Sequence, residues 1–177
     1  YKEALAYFTK SIELNPKIAI AYTNRGNVHS NLKQYAEALA DYTKAIELNP
    51  KFAKAYTHRG LVHYNLQQYE KTLADFTKAL ELDPKYADAY TNRGLVHYNL
   101  QQYAEALADF TNAIELDPKY ALAYTNRGNV HYHLQQYEEA LADLNKAVEL
   151  APNEADYYGW RGVLYTALGD YAQAITD

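Results

Sequence analysis

Apolar and aromatic residues recur along the chain in steps of three and four. Between Tyr35 and Leu48 they stand at Tyr35, Ala38, Leu39, Tyr42, Ala45, Ile46 and Leu48. Between Ala19 and Leu32 they stand at Ala19, Tyr22, Val28 and Leu32, with Gly26 among them. This is the helical period, and no stretch alternates strictly enough for a strand. Two helices joined by a short turn at Lys33-Gln34 are predicted. The second ends at Leu48-Asn49-Pro50-Lys51, because the residue before a proline is pushed away from helical angles.

The same pattern returns every 34 residues. The prolines are Pro16, Pro50, Pro84, Pro118 and Pro152. Gly26, Gly60, Gly94, Gly128 and Gly162 keep that spacing, as do Tyr35, Tyr69, Tyr103, Tyr137 and Tyr171. The fold class is therefore all-α, an array of antiparallel helix pairs in 34-residue repeats. The recurring glycine sits inside a helix, at a cost of about 1 kcal/mol relative to alanine. Close approach of two backbones is the expected reason, with Gly26 facing Ala38 on the partner helix. On that reading, Gly94→Val overpacks the contact.

The unit resembles the tetratricopeptide repeat (TPR), whose pattern runs from an aromatic through glycine to Ala-x3-aromatic and proline. The matches in one unit are Tyr22, Gly26, Ala38, Tyr42 and Pro50, and in another Tyr90, Gly94, Ala106, Phe110 and Pro118. Arginine replaces the usual leucine at Arg25, Arg59, Arg93, Arg127 and Arg161. Histidine replaces a tyrosine at His29, His63, His97 and His131, and Thr72 replaces an alanine. The resemblance implies a right-handed superhelical α-solenoid, read as a single domain over 1–177. Its full repeats are 19–52, 53–86, 87–120 and 121–154, with partial repeats at 1–18 and 155–177. Because the chain begins and ends inside units, it reads as a window on a longer array with apolar faces at both ends.

By the same resemblance, first helices line a concave groove that holds an extended peptide or a partner helix. Position by position, that face presents Thr23, Thr57, Thr91 and Thr125, then Asn24, His58, Asn92 and Asn126. Next come Asn27, Leu61, Leu95 and Asn129, then Ser30, Tyr64, Tyr98 and Tyr132, then Asn31, Asn65, Asn99 and His133. An amide offers one acceptor and two donors, so it can pair with a peptide backbone of any sequence. Helices about 8–10 Å apart would meet an extended chain at roughly every third residue. The row resembles the asparagine ladder in the TPR superhelices of O-linked N-acetylglucosamine transferases, interrupted here by His58. The carboxylate clamp of chaperone-binding TPR domains is matched only in part. Asn27, Asn129 and Lys54 fit it, whereas Thr23 and His58 stand where cations are needed. The tyrosines Tyr64, Tyr98 and Tyr132 would supply side-chain contacts.

Composition narrows the function further. The chain of 177 residues carries net charge −5, which disfavours a nucleic-acid partner. It has no cysteine, which excludes disulfides and thiolate chemistry. No apolar run is long enough for membrane insertion, and the compartment is left undetermined. No phosphate loop, nucleophile motif or His-Glu-x-x-His is present, so no enzyme activity, cofactor or metal is expected. His29, His63, His97 and His131 lie a helix-pair spacing apart, too far to converge on one ion, and are assigned to packing. Each arginine of the series precedes an aspartate by 16 residues (Asp41, Asp75, Asp109, Asp143, Asp177), which predicts an ion-pair ladder. The function expected is a protein–protein interaction scaffold. The alternatives are an array segment that self-associates end to end and an accessory domain of a larger enzyme.

Overall fold

The computed structural model describes residues 1–177 and is all-α. Contacts divide it into two compact units, Tyr1–Lys85 and Tyr86–Asp177. The first holds α1 (Lys2–Leu14), α2 (Ala19–Asn31), α3 (Tyr35–Leu48), α4 (Ala53–Asn65) and α5 (Tyr69–Leu82). The second holds α6 (Ala87–Asn99), α7 (Tyr103–Leu116), α8 (Ala121–His133), α9 (Tyr137–Leu150), α10 (Ala155–Ala167) and α11 (Tyr171–Thr176). Helices pair as α2 with α3, α4 with α5, α6 with α7, α8 with α9 and α10 with α11. Within each unit the second helix of a pair also packs on the first helix of the next, α3 on α4 and α7 on α8.

The turns explain the pairing. After α2 the Gln34 N–H donates to His29 O at 2.9 Å and the Lys33 N–H to Ser30 O at 2.9 Å. This is a Schellman closure, and it places Lys33 in the left-handed region at φ 59°. Gln67, Gln101 and Gln135 repeat it at φ 57–59°, and Gly169 holds the same place at φ 79°. After α3 the chain leaves the helix at Asn49, whose Oδ1 accepts from the Lys51 N–H at 3.1 Å. Asp83 and Asp117 do the same for Lys85 and Lys119. Except at Pro152, which follows Ala151, proline thus follows a residue whose carboxamide or carboxylate caps the turn.

The core is thin and alanine-rich. Ala38, Ala45, Ala55, Ala106, Ala113, Ala123, Ala140 and Ala147 are fully buried, which lets the backbones come close. Thr72 is buried too, and its hydroxyl is satisfied by donating to Gln68 O at 3.0 Å. The recurring glycine faces a different neighbour from the one expected. A Cβ on Gly26 would lie 2.8 Å from the Tyr42 ring, and one on Gly94 2.7 Å from the Phe110 ring. At Gly128, where Leu144 replaces the ring, the alanine backbone comes near, with Ala140 O at 3.3 Å, and at Gly162 Ala174 O lies at 3.6 Å. The glycine therefore makes room for an aromatic side chain of the partner helix more than for its backbone.

Candidate functional site

The arginine series is structural. In each pair the guanidinium forks onto the aspartate of the second helix: Arg25 Nε donates to Asp41 Oδ2 at 2.8 Å and Nη2 to Oδ1 at 2.7 Å. Arg59–Asp75, Arg93–Asp109, Arg127–Asp143 and Arg161–Asp177 repeat the fork. A third donor reaches back to the preceding second helix, Arg59 Nη1 to Thr43 Oγ1 at 3.3 Å and Arg127 Nη1 to Thr111 Oγ1 at 3.2 Å. The arginine also lies over the tyrosine one turn earlier, 5.7 Å above Tyr124 for Arg127. The aspartate hydrogen bond raises the pKa of each guanidinium further above its usual range. His29, His63, His97 and His131 sit beside the same aspartates, with Nδ1 within 2.7–2.8 Å of Gln34, Gln68, Gln102 and Gln136 Oε1. These glutamines share the 34-residue period, a signal that sequence reading could have used. No group of acidic and imidazole side chains is arranged to hold a metal ion.

The expected groove residues divide into two classes. Thr23, Thr57, Thr91 and Thr125 are buried, and each hydroxyl donates to the carbonyl four residues back, at 3.1–3.2 Å. They are inside the helix packing and present no free hydroxyl to a ligand. Asn24, His58, Asn92 and Asn126 are half-buried, as are Asn27, Tyr64, Tyr98 and Tyr132. Asn65 and Asn99 are exposed, whereas Asn129 is buried. Asn126 Nδ2 is covered and has no hydrogen-bond partner. Charged pairs lie elsewhere, along the outer faces of second helices, as Lys44–Glu47 and Lys78–Glu81 do.

Within the unit Tyr1–Lys85, the faces of α2 and α4 flank an open cavity of about 300 Å³ lined by Asn27, Ser30, Asn31, Tyr42, His58 and Leu61. Tyr42 is its floor. The phenol donates to Asn27 Oδ1 at 2.8 Å, and the ring stacks on His58 with centroids 5.8 Å apart and planes 17° apart. Burial pushes the Tyr42 phenol well above its usual range. Burial first, and then nearby Lys54, push the His58 pKa down, so the imidazole is neutral at pH 7. The sequence pattern assigned Tyr42 to the core. Its polar end is what the pattern could not show.

Within the unit Tyr86–Asp177, the corresponding faces of α6 and α8 are filled. Leu95, Tyr98, Tyr103 and Leu107 pack against Ala106, Phe110 and Val130. His133 stacks on Tyr103 with centroids 6.0 Å apart and meets Tyr98 edge-on at 5.5 Å and Tyr132 at 5.6 Å.

Comparison with known proteins follows this geometry. One tetratricopeptide repeat model matches residues 19–52 and 53–86, and a second matches 91–155 and 125–177. No curated protein matches the chain. Among solved structures, YrrB is described as a TPR protein with an unusual peptide-binding site. It is 31% identical with a TM-score of 0.77, over 96% of this chain and 87% of that one. MamA from Desulfovibrio magneticus RS-1 is 25% identical with a TM-score of 0.80, over 89% of each chain. PilF of Pseudomonas aeruginosa, at 19% identity and a TM-score of 0.85 over 96% of this chain and 77% of that one, shares the fold. With both repeat models together spanning most of the helix pairs, the chain belongs to the tetratricopeptide repeat family.

Proposed function

We propose that this chain is an interaction scaffold that binds an extended peptide on the exposed faces of its first helices. Tetratricopeptide repeats mediate protein–protein interactions, and the related YrrB has a peptide-binding site. The observation that carries the reading is the character of the first-helix faces. They carry few charges, Lys54 and Asp88 among them, are set with the amides Asn27, Asn31, Asn65, Asn92 and Asn99, and open into a cavity in the unit Tyr1–Lys85. Amide hydrogen bonds at about 0.5–1.5 kcal/mol each do not overcome association costs alone, so buried side-chain contacts must add to them.

The test is selection from a displayed random peptide library on the full chain, followed by calorimetric titration of the selected peptides. Weaker binding to an Asn65→Ala/Asn92→Ala variant that melts no lower than the parent supports the amides. Equal binding to both proteins removes these amides from the mechanism, and a selection that yields no peptide overturns the reading.

Self-association is the second reading, favoured by the apolar surface on α10 and α11. Trp160, Val163, Leu168, Tyr171 and Ile175 are all exposed there. An apparent mass from light scattering that rises with protein concentration supports it, and a constant monomer mass refutes it.

A further inference from the structure

A chain of near-copies marks its own exceptions. Ser30 stands where Tyr64, Tyr98 and Tyr132 stand, and Asn27, like Asn129, stands where Leu61 and Leu95 stand. Tyr42 replaces Phe76, Phe110 and Leu144, and His58 replaces Asn24, Asn92 and Asn126. These four positions lie on three different helices, yet all four line the one cavity between α2, α3 and α4.

The filled counterpart shows what is missing from it. In the unit Tyr86–Asp177, the equivalents of Asn27 and Ser30 are Leu95 and Tyr98, and both pack against the core around Phe110. The Tyr98 ring lies 6.1 Å from Tyr103. In the unit Tyr1–Lys85, the core around Tyr42 is packed by Tyr35 and Leu39, Asn27 stands in place of the leucine and bonds the Tyr42 phenol, and Ser30 leaves open the space of a tyrosine side chain. That space has an aromatic floor in Tyr42 and an imidazole wall in His58. Leu61 supplies an apolar side, and Asn27, Ser30 and Asn31 form a hydrogen-bonding rim.

We infer that this cavity receives one aromatic side chain, tyrosine foremost, from a peptide bound on the first-helix face. The inference rests on the peptide-binding reading above. A ring from the ligand takes the room that Tyr98 takes in its own repeat, and packs against Leu61 and the edges of the stacked Tyr42–His58 pair. The ligand's phenol hydroxyl is met at the rim by the Asn31 amide or the Asn27 Nδ2, since Asn27 Oδ1 already accepts from Tyr42. Cationic side chains are excluded on chemical grounds, since no lining residue carries a negative charge to pair with them and burying an unpaired charge is costly.

Two measurements on the full chain test this. The first is an NMR titration with p-cresol as probe, following the Leu61 methyls and the His58 imidazole in the parent and in Ser30→Tyr. That variant installs the residue the other repeats already carry, so the fold is retained, and its melting temperature checks this. Saturable shifts at Leu61 and His58 that vanish in Ser30→Tyr are expected. Shifts that persist in the variant, or that are absent in the parent, overturn the cavity assignment. The second is the peptide selection, run on both proteins. Enrichment of tyrosine at one peptide position, with affinity at least tenfold weaker for Ser30→Tyr, is expected. Selected peptides that bind both proteins equally overturn the pocket and leave the groove reading standing. A selection that yields no peptide overturns the groove reading and, with it, the peptide occupant, whatever p-cresol does.

Discussion

Gly94 and Gly162 hold the same place in the repeat, so replacing each by alanine is the same substitution in two settings. The gain in helix propensity, about 1 kcal/mol, is common to both. The surroundings differ. A Cβ on Gly94 would lie 2.7 Å from Phe110 Cε1 and 3.0 Å from Cδ1 and Cζ. Carbon atoms prefer about 3.5–4.0 Å, and Phe110 is fully buried among Ala106 and Val130, with no room to swing aside. Overpacking of this kind costs about 1–3 kcal/mol. Gly94→Ala therefore destabilises by up to about 2 kcal/mol net, and Gly94→Val by more. On Gly162 the nearest atoms are Ala174 O at 3.6 Å and Asp177 Cβ at 3.8 Å, ordinary contacts. Gly162→Ala therefore stabilises by about 0.5–1 kcal/mol. Urea denaturation reads the difference as midpoints moving in opposite directions at unchanged slope. Adding Phe110→Leu to Gly94→Ala recovers part of the loss, because the leucine-facing glycine Gly128 has its nearest atom at 3.1 Å. Midpoints that move the same way by similar amounts would refute ring packing as the reason for the glycine.

Asp143→Ala strands the Arg127 fork. It is expected to cost about 2–3 kcal/mol, less than a fully buried pair would, because the Arg127 side chain retains 22% exposure. A double-mutant cycle with Arg127→Leu that shows no coupling would dismiss the ladder as a source of stability. Gln101→Gly relieves a left-handed residue at φ 58° and is expected to raise stability by about 1 kcal/mol, as read by thermal melting. No change, or a lower melting temperature, would count against strain at that turn. His58 has its pKa lowered in the folded chain by burial and then by Lys54. Below about pH 6.5, the ordinary histidine value, the unfolded chain therefore takes up a proton that the folded chain resists. Stability from this group is full above that pH and is lost as pH falls through the window below it. A His58→Asn variant should lose less stability than the parent between pH 7.5 and 5.5, and equal losses would contradict the assignment.

Much of this was legible because a 34-residue period turns the chain into its own alignment. The helix pairs follow from Pro50 and Gly26 and their copies. The Arg25–Asp41 fork follows from a constant spacing of 16 residues that survives in every copy. The face assignment was coarser. Thr23 and Asn24 are neighbours, about 100° apart around a helix of 3.6 residues per turn, so they do not share a face, and the threonine is the one that turns inward. The partner of the glycine was missed for a related reason. A ring reaches well beyond its own Cα, so the side chain opposite Gly26 comes from Tyr42 rather than from Ala38, the small residue the pattern suggested. Nor does a pattern of letters show covering: Asn126 has the same identity as Asn92, but its Nδ2 is closed off.

That last difference bears on how binding energy is distributed. Four equal rungs would spread weak hydrogen bonds evenly along a peptide, giving low affinity and little choice of sequence. The rungs are not equal. In the unit where aromatic packing fills the face around Tyr98 and His133, the Nδ2 of Asn126 is also covered. Where Ser30 stands instead, His58 and Tyr42 line an opening. Interfaces commonly draw most of their energy from a few well-packed anchors surrounded by near-neutral contacts. Copying a helix pair copies its Arg–Asp fork, its glycine and its turn, because each pair needs them to stand. Changing a single tyrosine to serine leaves all of these in place and opens one position to a ligand side chain, so a repeat array can gain an anchor without altering what holds it together.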